Sequence, residues 1–277
     1  MMRFVSPIRC RTLTAAALKR GGTWPTVADG GSDRCARAPT RSREEANVSR
    51  NSTTSKAIGV YSRAVTSDPV SVLAGDPFAV MNTIGLVAFA LVGATKAIRE
   101  EFDLFGVGVV GLSMAFAGGV TRDLLVNRVP LALQSPIEIA LGLFGVGLAL
   151  ALPLVVPSPD DRPTTLVADA IGLAAFATTG AIVADAAGVA AFGVVAIATI
   201  NAVGGGAVAD VLLDRSPFIL FDDFYASCAV LGGLAYLLVG AVGGVGGVAA
   251  GACATVTLLT RLLAVVYDWR LPTMRSR

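Results

Sequence analysis

Two glycine clusters, each followed at a short distance by aspartate, are the residues of this chain best placed to do chemistry. The first is Ala117-Gly118-Gly119 with Arg122 and Asp123 behind it. The second is Gly204-Gly205-Gly206 with Asp210. Both lie in long apolar runs. Successive glycines weaken a helix and let its backbone leave helical geometry. In hydrocarbon such a break survives only where protein or water satisfies the freed groups. Freed carbonyls can then stand in for water around a cation, and a charge placed nearby faces a cavity or a partner. The chemistry predicted is the passage of ions or small polar solutes. The alternative is that the glycines only let helices pack closely, with Arg122, Asp123 and Asp210 as anchors at the membrane interface.

Other polar residues extend the set. Asp169, early in an apolar run, could attract cations to one mouth. Asn201, a turn before the triple glycine, could bond to broken backbone or to a passing ion. If the two broken helices cross, Arg122 can pair with Asp210, whereas the adjacent Arg122 and Asp123 point different ways. Lys96 is expected to snorkel to headgroups. Arg128 and Arg215, each two residues before a proline, belong to turns, and Asp222 to an exposed loop. The chain has no histidine, and its four cysteines form no Cys-x-x-Cys pair. Cys228 and Cys253 sit in apolar runs as packing residues. With no nucleophile beside a base and no Gly-Lys-Ser/Thr loop end, the sequence does not describe an enzyme. It calls for no cofactor, metal or nucleic-acid partner.

The elements that must position these residues are written twice. Residues 84–133 align on 171–220 at an offset of 87 without a gap, and twenty of the fifty positions are identical. The rarer residues match too: Phe89 with Phe176, Asp123 with Asp210, Arg128 with Arg215, Pro130 with Pro217. Apolar runs of the length needed to cross hydrocarbon fall at 78–98, 104–120, 137–156, 166–186, 189–208, 224–242 and 248–267. The fold class expected is an all-α polytopic membrane protein. Seven transmembrane helices form a 3+3 repeat plus one accessory C-terminal helix. Three spans per copy turn the second copy upside down, the inverted-repeat plan of many transport proteins. The predicted organisation is a tail at 1–75, a first three-helix repeat at 76–156 and a linker at 157–164. A second repeat follows at 165–242, then a seventh helix at 243–267 and a C-terminal tail at 268–277.

Composition agrees. Hydrophobic residues make up 54% of the chain and charged residues 15%, against roughly 25% charged in soluble domains. Mean hydropathy is +0.71. Residues 1–75 hold twelve Lys/Arg against five Asp/Glu, a net of +7, and the remainder ten against fifteen, a net of −5. The basic segment reads as a tail, a targeting extension or an over-extended gene start. Call the side of the first helix's N-terminus side A. Excluding the tail, side A carries Arg122 and Arg128. Side B carries Lys96, Arg99, Arg162, Arg215, Arg270, Arg275 and Arg277, with Arg261 near. The positive-inside bias then puts side B in the cytoplasm, with the N-terminus outside and the C-terminus inside a multi-pass plasma-membrane protein.

These residues resemble a known family, the prokaryotic trimeric intracellular cation (TRIC) channels, also described as glycine-transporter or UPF0126 membrane proteins. The resemblance covers about residues 76–268. It rests on Ile84-Gly85-Leu86 with Ala88-Phe89-Ala90, on Gly118-Gly119-Val120-Thr121-Arg122-Asp123-Leu124-Leu125, and on their counterparts in 171–177 and 204–212. It implies a homotrimer in membrane lipid, with a pore in each protomer for passive permeation of monovalent cations, chiefly potassium. Helices 2 and 5 would be kinked at the glycines. Two departures stand out: the first cluster has only two glycines, and Ala209 stands where the first copy has Arg122. A secondary transporter of a small amino acid such as glycine, or a scaffold that transports nothing, is the competing expectation.

Overall fold

Long apolar stretches with few charges fold as helices in hydrocarbon because a helix satisfies its own backbone, and helices are what this chain forms. The computed structural model describes residues 76–155, 162–217 and 224–269. All lie within one compact unit, Thr53–Arg277. The tail at 1–75, most of the 157–164 linker, Asp222 and the last eight residues lie outside the described residues.

Among the described residues seven α-helices follow in order: α1 Pro77–Arg99, α2 Leu104–Leu125, α3 Pro136–Val155, α4 Arg162–Ala186, α5 Ala191–Leu212, α6 Tyr225–Ala241 and α7 Gly246–Val266. A 3-10 turn, Leu131–Leu133, precedes α3. Local chemistry sets the starts. The Asp76 side chain accepts from the Phe78 amide at 3.0 Å, with Pro77 in the first turn. Asp103 accepts from the Gly106 amide at 2.7 Å. Each caps an amide that has no partner inside its helix. Among the described residues five helices are long and apolar enough to cross a membrane: α1, α2, α4 (over Thr164–Ala186), α5 and α7. The shorter apolar helices are Pro136–Leu152 within α3 and Tyr225–Ala241.

The sequence offset of 87 reappears in the backbone. Asn127 and Asp214, each just past the end of its helix, both adopt positive φ, 56° and 53°. The turns they close carry matching bonds, Arg128 N to Asp123 O at 2.8 Å and Arg215 N to Asp210 O at 2.9 Å. Glu101 and Gly188 are a second such pair, with φ of 59° and 71°. Exposure repeats as well: Phe105 and Phe192 both point outward, at 79% and 81%.

α1 and α4 hold the centre and pack against each other, and α2 packs against α5. The core is made mainly of alanine and glycine, with Phe89, Phe176, Met114, Leu173 and Tyr225 as its larger members. Small residues bring helices close enough for dispersion to hold them where lipid removes the hydrophobic drive between them. α7 lies against α6 and α4, and its inward stripe is Ala249, Ala250, Cys253, Thr257, Arg261 and Ala264.

Candidate functional site

At the middle of the bundle the two halves meet through reciprocal contacts. The Phe89 and Phe176 rings form an edge-to-face pair, with centroids 5.0 Å apart and planes at 88°. Phe176 covers Gly85 and Phe89 covers Gly172; a Cβ at either glycine would collide with the ring. On α2 and α5 the same reciprocity is built from backbone. Gly118 lies against the Asn201 carbonyl oxygen and Gly205 against that of Met114, while a Cβ on Gly204 would meet the Gly118 Cα at 3.3 Å.

Helical structure runs through both clusters without interruption, since α2 and α5 each continue well past their glycines. The expected helix breaks are thus corrected. Gly118, Gly204 and Gly205 instead remove the side chains that would hold α2 and α5 apart. Gly119 has more room, its nearest neighbour being Arg122 Nη2 at 3.8 Å from a Cβ; Gly206 is buried in α5. Asn201 lies at this crossing, fully buried. Its Nδ2 donates to Phe176 O at 2.6 Å and to Thr179 Oγ1 at 2.9 Å. Its Oδ1 has no partner.

The charges collect at two places, one toward each end of the bundle. At the side-A end, Arg122 is 2% exposed. Its Nε donates to Asp123 Oδ1 at 2.8 Å, and its guanidinium carbon lies 5.5 Å from the centre of the Phe78 ring. Asp123 Oδ2 accepts from the Leu131 amide at 3.0 Å, which ties the 3-10 turn to α2. Beside them Asn82 Nδ2 donates to both Glu138 carboxylate oxygens, at 3.0 and 2.8 Å. The cavity left among these groups is only about 20 Å³.

At the side-B end, Lys96 Nζ lies 3.0 Å from Asp210 Oδ1, joining α1 to α5. Asp169 Oδ1 accepts from the Tyr225 hydroxyl at 3.2 Å. The Arg261 guanidinium of α7 sits 4.6 Å from the centre of the Tyr225 ring. Asp169, Asp210 and Arg261 are all at least nine-tenths buried. They line, with Lys96, Arg99 and Arg215, a cavity of about 470 Å³. On its rim Arg215 pairs with Glu100, and Arg99 Nη2 donates to Thr165 Oγ1 at 3.1 Å.

The sequence-based pairings need correction at three points. Arg122 bonds its own neighbour Asp123, because a long side chain can fold back along the helix; the cross-repeat pair with Asp210 does not form. Asp210 takes Lys96 instead. Lys96 in turn does not snorkel to the surface: a carboxylate buried in α5 is a stronger attraction than headgroups a few ångströms further out. Glu138 and Tyr225 carry no signal in the sequence reading, and Arg261 enters it only as a side-B charge. Glu138 and Tyr225 stand 87 residues apart, just beyond the aligned segment, and each bonds the residue matched to its partner's (Asn82 and Asp169). Among the described residues no group of three His, Cys, Asp or Glu is placed to hold a metal ion.

Comparison with known proteins supplies the context. The family model described as "Glycine transporter" matches residues 79–153 and again 166–241, two matches that begin 87 residues apart. The UPF0126 membrane protein YvgT of Bacillus subtilis is 33% identical over 198 residues, 71% of this chain and 96% of the relative. The UPF0126 inner membrane protein YadS of Escherichia coli K12 is 31% identical over 197 residues, 70% of this chain and 94% of the relative. Among solved structures, a TRIC cation channel studied for its conductance shares 36% identity at a TM-score of 0.65, covering 72% of this chain and 97% of that one. The TRIC orthologue of Rhodobacter sphaeroides shares 31% at a TM-score of 0.63, covering 69% and 98%. In sequence across both halves and in fold, the chain belongs to the UPF0126 or glycine-transporter family of membrane proteins, the family of the TRIC cation channels.

Proposed function

We propose that this protein is a channel for monovalent cations, chiefly potassium. The path runs through each protomer from the side-B cavity, past the α2–α5 crossing, to the side-A cluster. The observation that carries the reading is the pair of buried, charged clusters toward opposite ends of one bundle, joined by a glycine-lined crossing. Intramembrane carboxylates this expensive are kept for a path or a partner, and here they recur at both ends. The structural relatives named for cation conduction support it. In the state described the crossing is packed shut, so conduction requires α2 and α5 to part. The groups along the path are Gly118, Gly119, Arg122, Asp123, Asp169, Asn201, Gly204, Gly205, Gly206 and Asp210.

The wider arrangement follows from the same reading. Seven helices span the plasma membrane as a 3+3 inverted repeat with α7 outside it. The contacts that return at an offset of 87 support that plan. The protein is a homotrimer, has its N-terminus outside, and catalyses no reaction.

A second reading has one observation in its favour. A cavity of about 470 Å³ that offers carboxylates and cationic groups together suits a zwitterion such as glycine, and it is wide at one end and shut at the other, as a transporter would be. Reconstitution of residues 76–277 in liposomes decides between them. Potassium flux that does not saturate, and that glycine does not compete, is the expected result. Saturable glycine uptake without ionic conductance would replace the channel with the transporter.

A further inference from the structure

We infer that the side-A cluster holds one buried water molecule, which accepts from the Arg122 guanidinium and donates to the Glu138 carboxylate, so that a single network joins α1, α2 and α3 there. The inference deepens the channel reading, on which it rests for its functional consequence. Its evidence and its test do not depend on ion flux.

Arg122 is 2% exposed, and its Nε donates to Asp123 Oδ1. Its Nη1 is buried with no hydrogen-bond partner. A guanidinium carries five N–H donors and keeps its charge, and a buried donor left unpaired is costly enough to be rare. Both Asp123 oxygens are already engaged, one by Arg122 Nε and the other by the Leu131 amide. The second carboxylate of the cluster is less fully used. One nitrogen, Asn82 Nδ2, serves both Glu138 oxygens, and a carboxylate offers about four lone-pair sites.

Asn82, Arg122 and Glu138 line the same cavity, of about 20 Å³. A water needs about 10–15 Å³ of such space and two to four polar partners. The cavity therefore has room for one. Much of the remaining wall is apolar, with Leu86, Phe116 and Phe176 on it, so a molecule placed there turns to the polar side chains. Size alone would also admit a bare monovalent cation. The donor set decides against it. The unpaired group is a guanidinium nitrogen, which offers only hydrogens and positive charge, whereas a water accepts from it and donates to Glu138 at once.

The consequence is a hydrated joint between helices. Arg122 and Asp123 belong to α2, Glu138 to α3 and Asn82 to α1. A direct ion pair would hold α2 to α3 at one distance. A bond relayed by water is nearly as good, and it can lengthen by admitting a second water when α2 moves away from α5. In a conducting channel the side-A end would then hydrate outward from this molecule as the crossing opens.

Gly119 lines the same cavity. A Cβ there would find only Arg122 Nη2 within 4 Å, at 3.8 Å, an ordinary contact. Over an empty cavity Gly119→Ala should stabilise the protein, by filling space and favouring the helix. Over a water the same methyl group takes its place and strands the guanidinium. In thermal unfolding of the whole protein in detergent, Gly119→Ala is expected to lower the midpoint by a few degrees, while Gly108→Ala on the same helix does not. A midpoint at or above the native value would overturn the inference. A crystal structure at a resolution that shows ordered water, from crystals grown in potassium and soaked in thallium(I), reads the site directly. The expected result is a density peak within about 3.2 Å of both an Arg122 nitrogen and a Glu138 oxygen, with no anomalous signal from thallium, and no such peak in Gly119→Ala. An empty cavity sinks the proposal, and a thallium signal there puts a cation in place of the water. Where Gly119→Ala does not fold, the native density decides alone. A native protein without flux counts against the channel and leaves both readouts of the water intact.

Discussion

Gly118 rests directly on the backbone carbonyl of Asn201, and its repeat partner Gly205 rests on that of Met114. Met114 and Asn201 are themselves repeat partners, so a single contact, used twice, closes α2 on α5. Alanine at either glycine forces a methyl group into a carbonyl oxygen that a continuous helix cannot move. Gly118→Ala and Gly205→Ala should each cost about 1–3 kcal/mol, the usual cost of overpacking, and should do so nearly equally. Gly108→Ala, on the same helix α2 with nothing within 4 Å of its Cβ, should be neutral or slightly stabilising. Thermal unfolding of the three variants checks this. A harmless Gly118→Ala would show that the two helices do not lie this close.

The aromatic pair at the α1–α4 contact gives a second equality. Phe89 and Phe176 are both essentially unexposed and each covers the other helix's glycine. Phe→Leu at either site should destabilise to a similar degree. The double variant should lose less than the sum of the two, by about 0.5–1.5 kcal/mol, the coupling of an edge-to-face pair. A double-mutant cycle in unfolding free energy measures it. Additive effects would mean that the rings touch without interacting.

Removing one member of a buried ion pair strands the other, at a cost of about 3–5 kcal/mol. Arg122→Ala and Asp210→Ala should therefore destabilise far more than Glu101→Ala, whose side chain lies in the exposed α1–α2 turn. Their effects on flux should differ in sign. Arg122→Ala opens space in the packed side-A cluster and should raise potassium conductance where the protein remains folded. Asp210→Ala leaves Lys96 without its carboxylate in the side-B mouth and should lower it. Single-channel recording of the two variants decides, and equal, negligible changes would remove both residues from the path.

The repeat made the scaffold readable because helix contacts that recur must use the same small residues twice. Gly85 with Gly172, Phe89 with Phe176, and Gly118 with Gly205 all stand out when the sequence is laid on itself. Pairing of charges was less readable. A helix places Asp123 beside Arg122 in sequence but says nothing about how far a guanidinium bends. Lys96 and Asp210 lie 114 residues apart, and only the packing of α1 on α5 brings them together. The glycines misled for a related reason: glycine lowers helix propensity in water, but in hydrocarbon a broken backbone has nothing else to bond, so the helix persists and the missing side chain is spent on proximity. Glu138 and Tyr225 lay within reach of the same comparison, carried five residues past the aligned segment.

α7 looks like an accessory because it has no repeat partner, yet Arg261 is 4% exposed and lies over the ring of Tyr225, whose hydroxyl bonds Asp169. Three helices, α7, α6 and α4, are thereby tied to the side-B mouth by one line of side chains. Arg261→Met keeps the length and apolar stem but loses the cation–π contact, which is about 2 kcal/mol when desolvated. It also removes one positive charge from the cavity wall. Tyr225→Phe keeps the ring beneath Arg261 and loses the hydroxyl's bond to Asp169, about 1 kcal/mol. If α7 acts on the mouth through this line, both variants should alter potassium flux, Arg261→Met more strongly and with the larger loss of stability. If α7 only packs, Tyr225→Phe should leave flux unchanged, and Arg261→Met should lower the unfolding temperature without changing conductance per channel.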